Sequence, residues 1–475
     1  SKVDPHNFYG TRQDHDDVQA DMFTAIVQHD FSDDLALHDT LRWGRTQQDY
    51  LLTSFMATAA NLLTPDPADP STWTVARSNP NFKHQTNRIV TNQTNLTARF
   101  VTGAATHNLS AGIELTQEKA TALTLAALDG STWPSANLYH PDADVGGLVY
   151  GQTGAYNRGK TDTVAAYLFD TLKFGEHWQI NAGARLDHYR TDFDSAVACG
   201  GRRGPDCGGL PEGSTVPGID TRVSDNLPNY KLGVLYKPVA SGSIYANFAM
   251  SQQPPGGNTL TFSSSANSLD NPALDPEKAR TIELGTKWSV LDDRLLLSGA
   301  LYRTTVDNQL VQDPTDATHY DQIGSKRVQG VEISAVGKLG ENWAISAGYT
   351  IMDSKVVDGS AVTADGSSAL AYTPKSAFTA WATWHLPFNL TLGGGARYAG
   401  ELKRGTDGAI GTPEFTRSYW VFDAVASYPV SQRVDLQLNV YNLFDKDYVA
   451  SINKSGYRYI PGAPRSAMLT VNMHF

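Results

Sequence analysis

No stretch of this chain stays apolar for the roughly 18 to 20 residues that a membrane-spanning helix requires, which excludes helical insertion. Cysteine is scarce: Cys199 and Cys207 are the only two in 475 residues, and both lie in the Gly-rich segment ACGGRRGPDCGG. They close a short loop that an oxidising compartment would join as a disulfide. A metal pair is the alternative, although no histidine or further cysteine lies nearby. Basic runs are equally rare. None exceeds Arg202 and Arg203, and the net charge of −11 argues against nucleic acid as a partner. Histidines His6, His15, His84, His140 and His319 are scattered and lack the paired spacing of metal ligands. The acidic run DHDD at 14–17 reads as a solvated loop rather than a divalent-ion site. G-x-S-x-G, H-E-x-x-H and phosphate-loop motifs are missing, so nothing supports hydrolase or nucleotide chemistry, and the chain does not read as an enzyme. It opens on Ser1 without a charged n-region or apolar h-region, so any signal peptide is expected to have been removed or to lie outside the sequence.

What is present is alternation. At the end of the chain Ala467, Leu469, Val471, Met473 and Phe475 alternate with Met468, Thr470, Asn472 and His474, giving one apolar and one mixed-polar face. WQINAGARLDHY repeats the pattern, with Ile180, Ala182, Ala184 and Leu186 opposing Asn181, Arg185 and Asp187. Isolated charges (Arg99, Glu114, Glu283, Lys287, Glu332 and Asp423) fall on the polar register. Eight short Gly-, Pro-, Asp- or Asn-bearing turns separate such segments: FSDD, TGAAT, FGEH, PVASG, VLDD, LGEN, LPFN and PVSQ. Between the hairpins lie long connections, the largest near 55–83, 120–158, 192–222 and 251–276. Shorter ones lie near 308–320, 355–370, 401–415 and 449–462. Short turns at one end and long loops at the other are the asymmetry of an outer-membrane barrel, in which alternate residues face lipid. Trp178, Trp288 and Trp343 lie beside short turns, where an aromatic girdle sits. The fold class is therefore all-β, a transmembrane antiparallel up-and-down β-barrel of about seventeen strands. A first strand near 17–30 and the last strand both run toward the short-turn side. Barrels of one chain have even strand numbers, so an odd count means either that strands at the front of the barrel are absent, with residues 1–16 in an extracellular loop, or that one strand is miscounted.

Several segments carry a family resemblance. NPALDPEKARTIELGTKW (271–288) resembles the NPxLxPE…xELGxK signature of TonB-dependent receptors, and LDDRLLLSGALYRTTVDNQ follows as its companion strand. RVQGVEISAVGKLGENWAISAGYT, NVYNLFDKDYVAS and the ending GYRYIPGAPRSAMLTVNMHF are similar to later segments of that family in the same order. NFYGT and GYRYIPGAPR look most like the catecholate siderophore receptor branch. The resemblance implies a barrel of 22 strands with a plugged lumen, of which residues 1–475 are the carboxy-terminal part, without the plug or the TonB box. It implies active uptake of a ferric siderophore as transported ligand, with no covalently bound cofactor. The implied setting is a monomer in the bacterial outer membrane, among lipid and lipopolysaccharide, driven by the TonB–ExbB–ExbD complex through the plug. A receptor for cobalamin, a saccharide or haem is the alternative, and a passive porin the more distant one.

Ferric catecholates are bulky, flat-faced and anionic, so a binding vestibule calls for aromatics and for Arg or Lys. The loop residues that fit are Trp133, Tyr139, Tyr150, Tyr156, Arg158, Arg202, Arg203, Arg404, Tyr457 and Arg458. Each has a plainer role open to it. Loop aromatics also form the outer girdle or pack loops together, and loop arginines also meet lipopolysaccharide phosphate.

Overall fold

The computed structural model describes residues 2–4, 6–55, 61–201, 204–257, 260–312, 319–406 and 411–474. Seventeen strands share one sheet. Its first half comprises β1 (His15–Ser32), β2 (Leu35–Phe55), β3 (Arg77–Thr102), β4 (Ala105–Ala127), β5 (Tyr150–Phe174), β6 (Trp178–Ala198), β7 (Thr215–Val239) and β8 (Gly242–Gln253). Then come β9 (Glu277–Val290), β10 (Leu295–Gln312), β11 (Tyr320–Lys338), β12 (Trp343–Asp358), β13 (Ser376–His385), β14 (Thr391–Ala399), β15 (Tyr419–Ser431), β16 (Val434–Tyr441) and β17 (Ser466–Met473). Every strand pairs antiparallel with its neighbour in the chain. Among the described residues β1 pairs only with β2, and β17 only with β16.

The short turns fall where Gly, Asp and Asn accept the left-handed backbone. Gly103 turns β3 into β4 at φ 59°, and Leu291, Asp292 and Asp293 all hold positive φ between β9 and β10. The strands outrun the alternation that marks them. β3 has 26 residues, whereas about 9 to 11 suffice to cross a bilayer. Accordingly the expected connections at 120–158 and 192–222 contract to 128–149 and 199–214. Tyr150, Tyr156 and Arg158, expected on a loop, are in β5 instead. The ladder of backbone hydrogen bonds continues beyond the apolar band, and the hydrophobic pattern does not.

Cross-strand register sorts the side chains onto two faces. One carries exposed Ile113, Leu115, Val164, Leu168, Leu186, Leu232, Ile282, Leu284 and Leu301 and is the lipid-facing exterior. The other is polar. Glu114 opposes Ala165, which opposes Asp187, and Asn247 opposes Glu283, which opposes Tyr302. Arg99, Glu114, Glu283, Lys287, Glu332 and Asp423 all lie on this inner face, as the alternation predicts. Aromatics gather outside at the short-turn rim. Trp178 packs on Tyr236 with centroids 4.6 Å apart, and Trp343 stacks on Trp384 at 5.2 Å. Trp288 lies over Gly242. Phe475, which ends the alternation of the last strand, is outside the described residues.

Candidate functional site

The long-loop end and the inner wall are where a ligand entering from outside would meet the chain. At the loop end a small sheet joins Leu62–Leu63, Thr74–Val75 and Ala136–Asn137. Arg77 locks it to the residues before β1. Its Nε donates to Tyr9 O at 2.9 Å, Nη1 donates to Pro134 O at 2.8 Å, and Nη2 donates to Asp142 O. Asp14 accepts from Thr53 N at 3.1 Å and Thr53 Oγ1 at 2.6 Å, so its carboxylate is engaged in loop structure. Cys199 and Cys207 are joined as a disulfide across Cα atoms 4.9 Å apart.

The residues singled out from the sequence divide by environment. Trp133 is buried with Leu51 and Leu148, and its indole reaches Gln13 Oε1 at 3.4 Å. Arg404 is buried as well. Its guanidinium donates to Pro413 O at 2.7 Å, Gly405 O at 2.9 Å, Thr412 Oγ1 at 3.3 Å and Lys454 O at 3.4 Å, tying loop 400–418 to loop 442–465. Both side chains are committed to holding loops. Tyr139 is half-buried, 6.5 Å from the Trp73 ring, and Tyr150 packs against Phe82 at 5.1 Å. Tyr156 and Arg158 stand on the exterior face, because they keep the parity of Val164 along an unbroken register with β6. There Arg158 covers the Tyr156 ring at 4.4 Å and reaches Asp194 at 3.7 Å. Tyr457 and Arg458 are exposed beside the hairpin of Val449–Ile452 and Tyr459–Pro461. Arg202 and Arg203 are outside the described residues.

The inner wall supplies a set that attention to loops missed. Lys231 lies 5.0 Å from the Phe169 ring centre, Lys287 5.7 Å from Tyr245, and Arg185 5.9 Å from Tyr167. Arg185 is held by Asp187 at 2.7 Å and Glu114 at 3.2 Å, a charge-assisted network on two strands, β6 and β4. A recess of about 580 Å³ includes Tyr245, Glu283, Lys287, Glu332 and Arg397 in its lining. The signal for these residues was in the sequence: Glu114, Arg185, Glu283, Lys287 and Glu332 all sit on the polar register of their strands.

Loop 254–276 folds inward over this wall. Phe262 is buried edge-on against Phe193, with centroids 5.6 Å apart, and Leu260 rests directly on Gly159 of β5. Beneath it a cavity of about 270 Å³ is bounded by Glu118, Thr161, Tyr189, Asn229, Gln252 and other residues.

The comparisons agree with this geometry. The sequence profile of "TonB dependent receptor-like, beta-barrel" proteins matches residues 1–443. The catecholate siderophore receptor Fiu of Escherichia coli K12 is 48% identical over 481 residues, covering 100% of this chain and 62% of the receptor. The probable TonB-dependent receptor BfrD of Bordetella pertussis is 32% identical, covering 100% of this chain and 63% of its own length. The crystal structure of the closed form of the ferric-catecholate import receptor Fiu from E. coli K12 superposes with a TM-score of 0.94, over 100% of this chain and 66% of that one. The chain thus spans less than two thirds of the length of these relatives. With its seventeen-strand antiparallel sheet, polar inner wall and apolar exterior, it belongs to the TonB-dependent receptor β-barrel family.

Proposed function

We propose that this chain is the carboxy-terminal barrel portion of an outer-membrane receptor that imports a ferric siderophore, of catecholate type, with energy delivered through TonB. The observation that carries the reading is the continuous match of all 475 residues to the ferric-catecholate receptor Fiu, in sequence and in fold. The lumen agrees with it: cations paired with aromatic rings suit a flat, anionic metal complex. In this reading the exposed Tyr457 and Arg458 meet the complex first, and the inner-wall charges hold the plug and receive the cargo as the plug moves. Trp133 and Arg404 act through loop shape. The ferric complex is substrate, and the plug and the TonB–ExbB–ExbD complex are partners supplied from beyond residues 1–475.

The test is growth of an iron-starved strain lacking its own catecholate receptors, complemented with the full-length receptor, with and without TonB. Rescue by ferric catecholates that disappears without TonB supports the proposal. Rescue without TonB points to a passive pore, and TonB-dependent rescue only by haem, cobalamin or a saccharide points to another cargo.

A further inference from the structure

Three polar side chains from three strands meet on the exterior face at the short-turn rim. Thr102 is the last residue of β3, His107 the third of β4, and Asp170 lies near the end of β5. All three point outward: Thr102 keeps the parity of Val90, His107 that of Ile113 and Asp170 that of Val164. Thr102 Oγ1 lies 2.6 Å from His107 Nε2, and His107 Nδ1 lies 2.5 Å from Asp170 Oδ2. A carboxylate can only accept, so Nδ1 carries the proton and Nε2 is left to accept from the Thr102 hydroxyl. The Phe100 ring stacks on the imidazole at 4.5 Å and covers one of its faces. The His107 and Asp170 side chains are 15% and 19% exposed, and Asp170 Oδ1 is buried without a hydrogen-bond partner. This carboxylate therefore serves His107. Elsewhere His474 meets a carboxylate and His385 a hydroxyl; among the described residues His107 alone meets both.

Hydroxyl, imidazole and carboxylate stand in the order of nucleophile, general base and orienting group. The turn adds donors. Gly103 and Ala104 join the two strands, their amides have no acceptor among the described residues, and the space beside Gly103 is open. An amide just after the nucleophile is well placed to hold an oxyanion. The location names the substrate. Thr102 opposes Ala105, Ala105 opposes Phe174 and Phe174 opposes Trp178, so the hydroxyl lies in a row of the aromatic girdle. At that rim the acyl esters of glycerophospholipids lie between headgroup and hydrocarbon, in the leaflet facing the periplasm. We propose that Thr102, His107 and Asp170 form a site that hydrolyses these esters. Thr102 Oγ bonds to the carbonyl carbon as its proton passes to His107 Nε2, and the oxyanion rests on the Gly103 and Ala104 amides. The bond from carbon to the glycerol oxygen then breaks, that oxygen takes the proton from His107, and lysophospholipid departs. Water repeats the sequence on the acyl-threonine, releasing fatty acid and restoring Thr102. The sum is ester plus water to fatty acid plus lysophospholipid. Register across three strands builds the site, so no contiguous motif announces it. The assignment rests on residence in the outer membrane and is independent of which cargo crosses it.

The experiment uses the full-length receptor containing this chain, reconstituted in phosphatidylethanolamine vesicles, with lysophospholipid and fatty acid measured by mass spectrometry. A fluorophosphonate probe is applied in parallel and its attachment site mapped on peptides. Equimolar release of the two products, with the probe on Thr102, is expected. Thr102→Val and His107→Gln should each lower release about a hundredfold or more, and Thr102→Ser should retain it. Heat-modifiable gel migration equal to the parent's shows that each variant is folded. No release by the parent would overturn the site. Release undiminished in Thr102→Val would assign the activity to a co-purified lipase and overturn it equally. Turnover of a water-soluble acetyl ester without release from phospholipid would overturn the substrate.

Discussion

Arg404 shows how a residue that looks ligand-facing in a sequence becomes a clasp in three dimensions. An arginine in a Gly-rich loop invites an anion, yet this one is 5% exposed and donates to acceptors in its own loop and the next. Arg404→Ala leaves those carbonyls unsatisfied and should loosen both loops by about 1 to 3 kcal/mol. The prediction is faster amide exchange in 400–418 and 442–465 with an unchanged barrel, and Arg404→Lys should not restore protection because an ammonium lacks the planar fork. Asp365 is a second clasp, with a pH signature. Lys403 Nζ at 2.5 Å, and then Ser367, hold its carboxyl well below the usual carboxylate range. A carboxylate with a depressed folded pKa stabilises above its unfolded pKa, and that stabilisation fades as pH falls through the acid range toward the folded value. For a partly exposed pair the effect is modest, about 0.5 to 1 kcal/mol. Exchange in loop 359–375 should therefore be protected at pH 7 and lose protection below about pH 4. Asp365→Asn should show the weaker protection at both.

The elements themselves were largely legible. All seventeen strands and eight short turns follow from alternation and turn chemistry, because the band in lipid must be apolar on one face and turn residues must tolerate unusual φ. Strand ends were not legible. From Gly151 to Asp162, β5 is polar or small on both faces, so hydrophobic periodicity vanishes while backbone pairing with β4 and β6 continues. That loss misplaced Tyr150, Tyr156 and Arg158. Counting parity from Val164 along the strand would have put Arg158 outside, but only once the strand was known to extend that far. Docking of loop 254–276 was equally hidden, since it depends on one missing side chain. Any Cβ at Gly159 meets the Leu260 backbone, which cannot withdraw without lifting the loop. Gly159→Val should release the loop from the inner wall, unpacking Phe262 from Phe193. The expected readout is new protease cleavage within 254–276 of a receptor that still shows heat-modifiable migration. Resistance equal to the parent's would mean that the loop is held by other contacts.

At the scale of the whole molecule the decisive feature is the pair of sheet edges. β1 and β17 each offer one unpaired row of backbone N–H and C=O groups among the described residues. Within a bilayer no water reaches such a row, and each unsatisfied group costs several kcal/mol, so an open sheet does not persist there. Soluble sheets blunt their edges with charge or bulges; β1 confines its charges to its ends, at Asp16, Asp17, Asp21 and Asp30, and exposes Met22, Phe23, Ile26 and Val27 between them, while β17 exposes Met468, Leu469, Val471 and Met473. In the proposed reading of the chain as part of a longer barrel, both edges would pair with further strands. Residues 1–475 refolded alone into detergent or vesicles should therefore migrate identically with and without boiling, and should associate through their edges as concentration rises. The full-length receptor, with both edges paired, should shift on boiling and remain monomeric. A compact, heat-modifiable monomer from residues 1–475 alone would mean that β1 and β17 can meet each other, closing a smaller barrel without further strands.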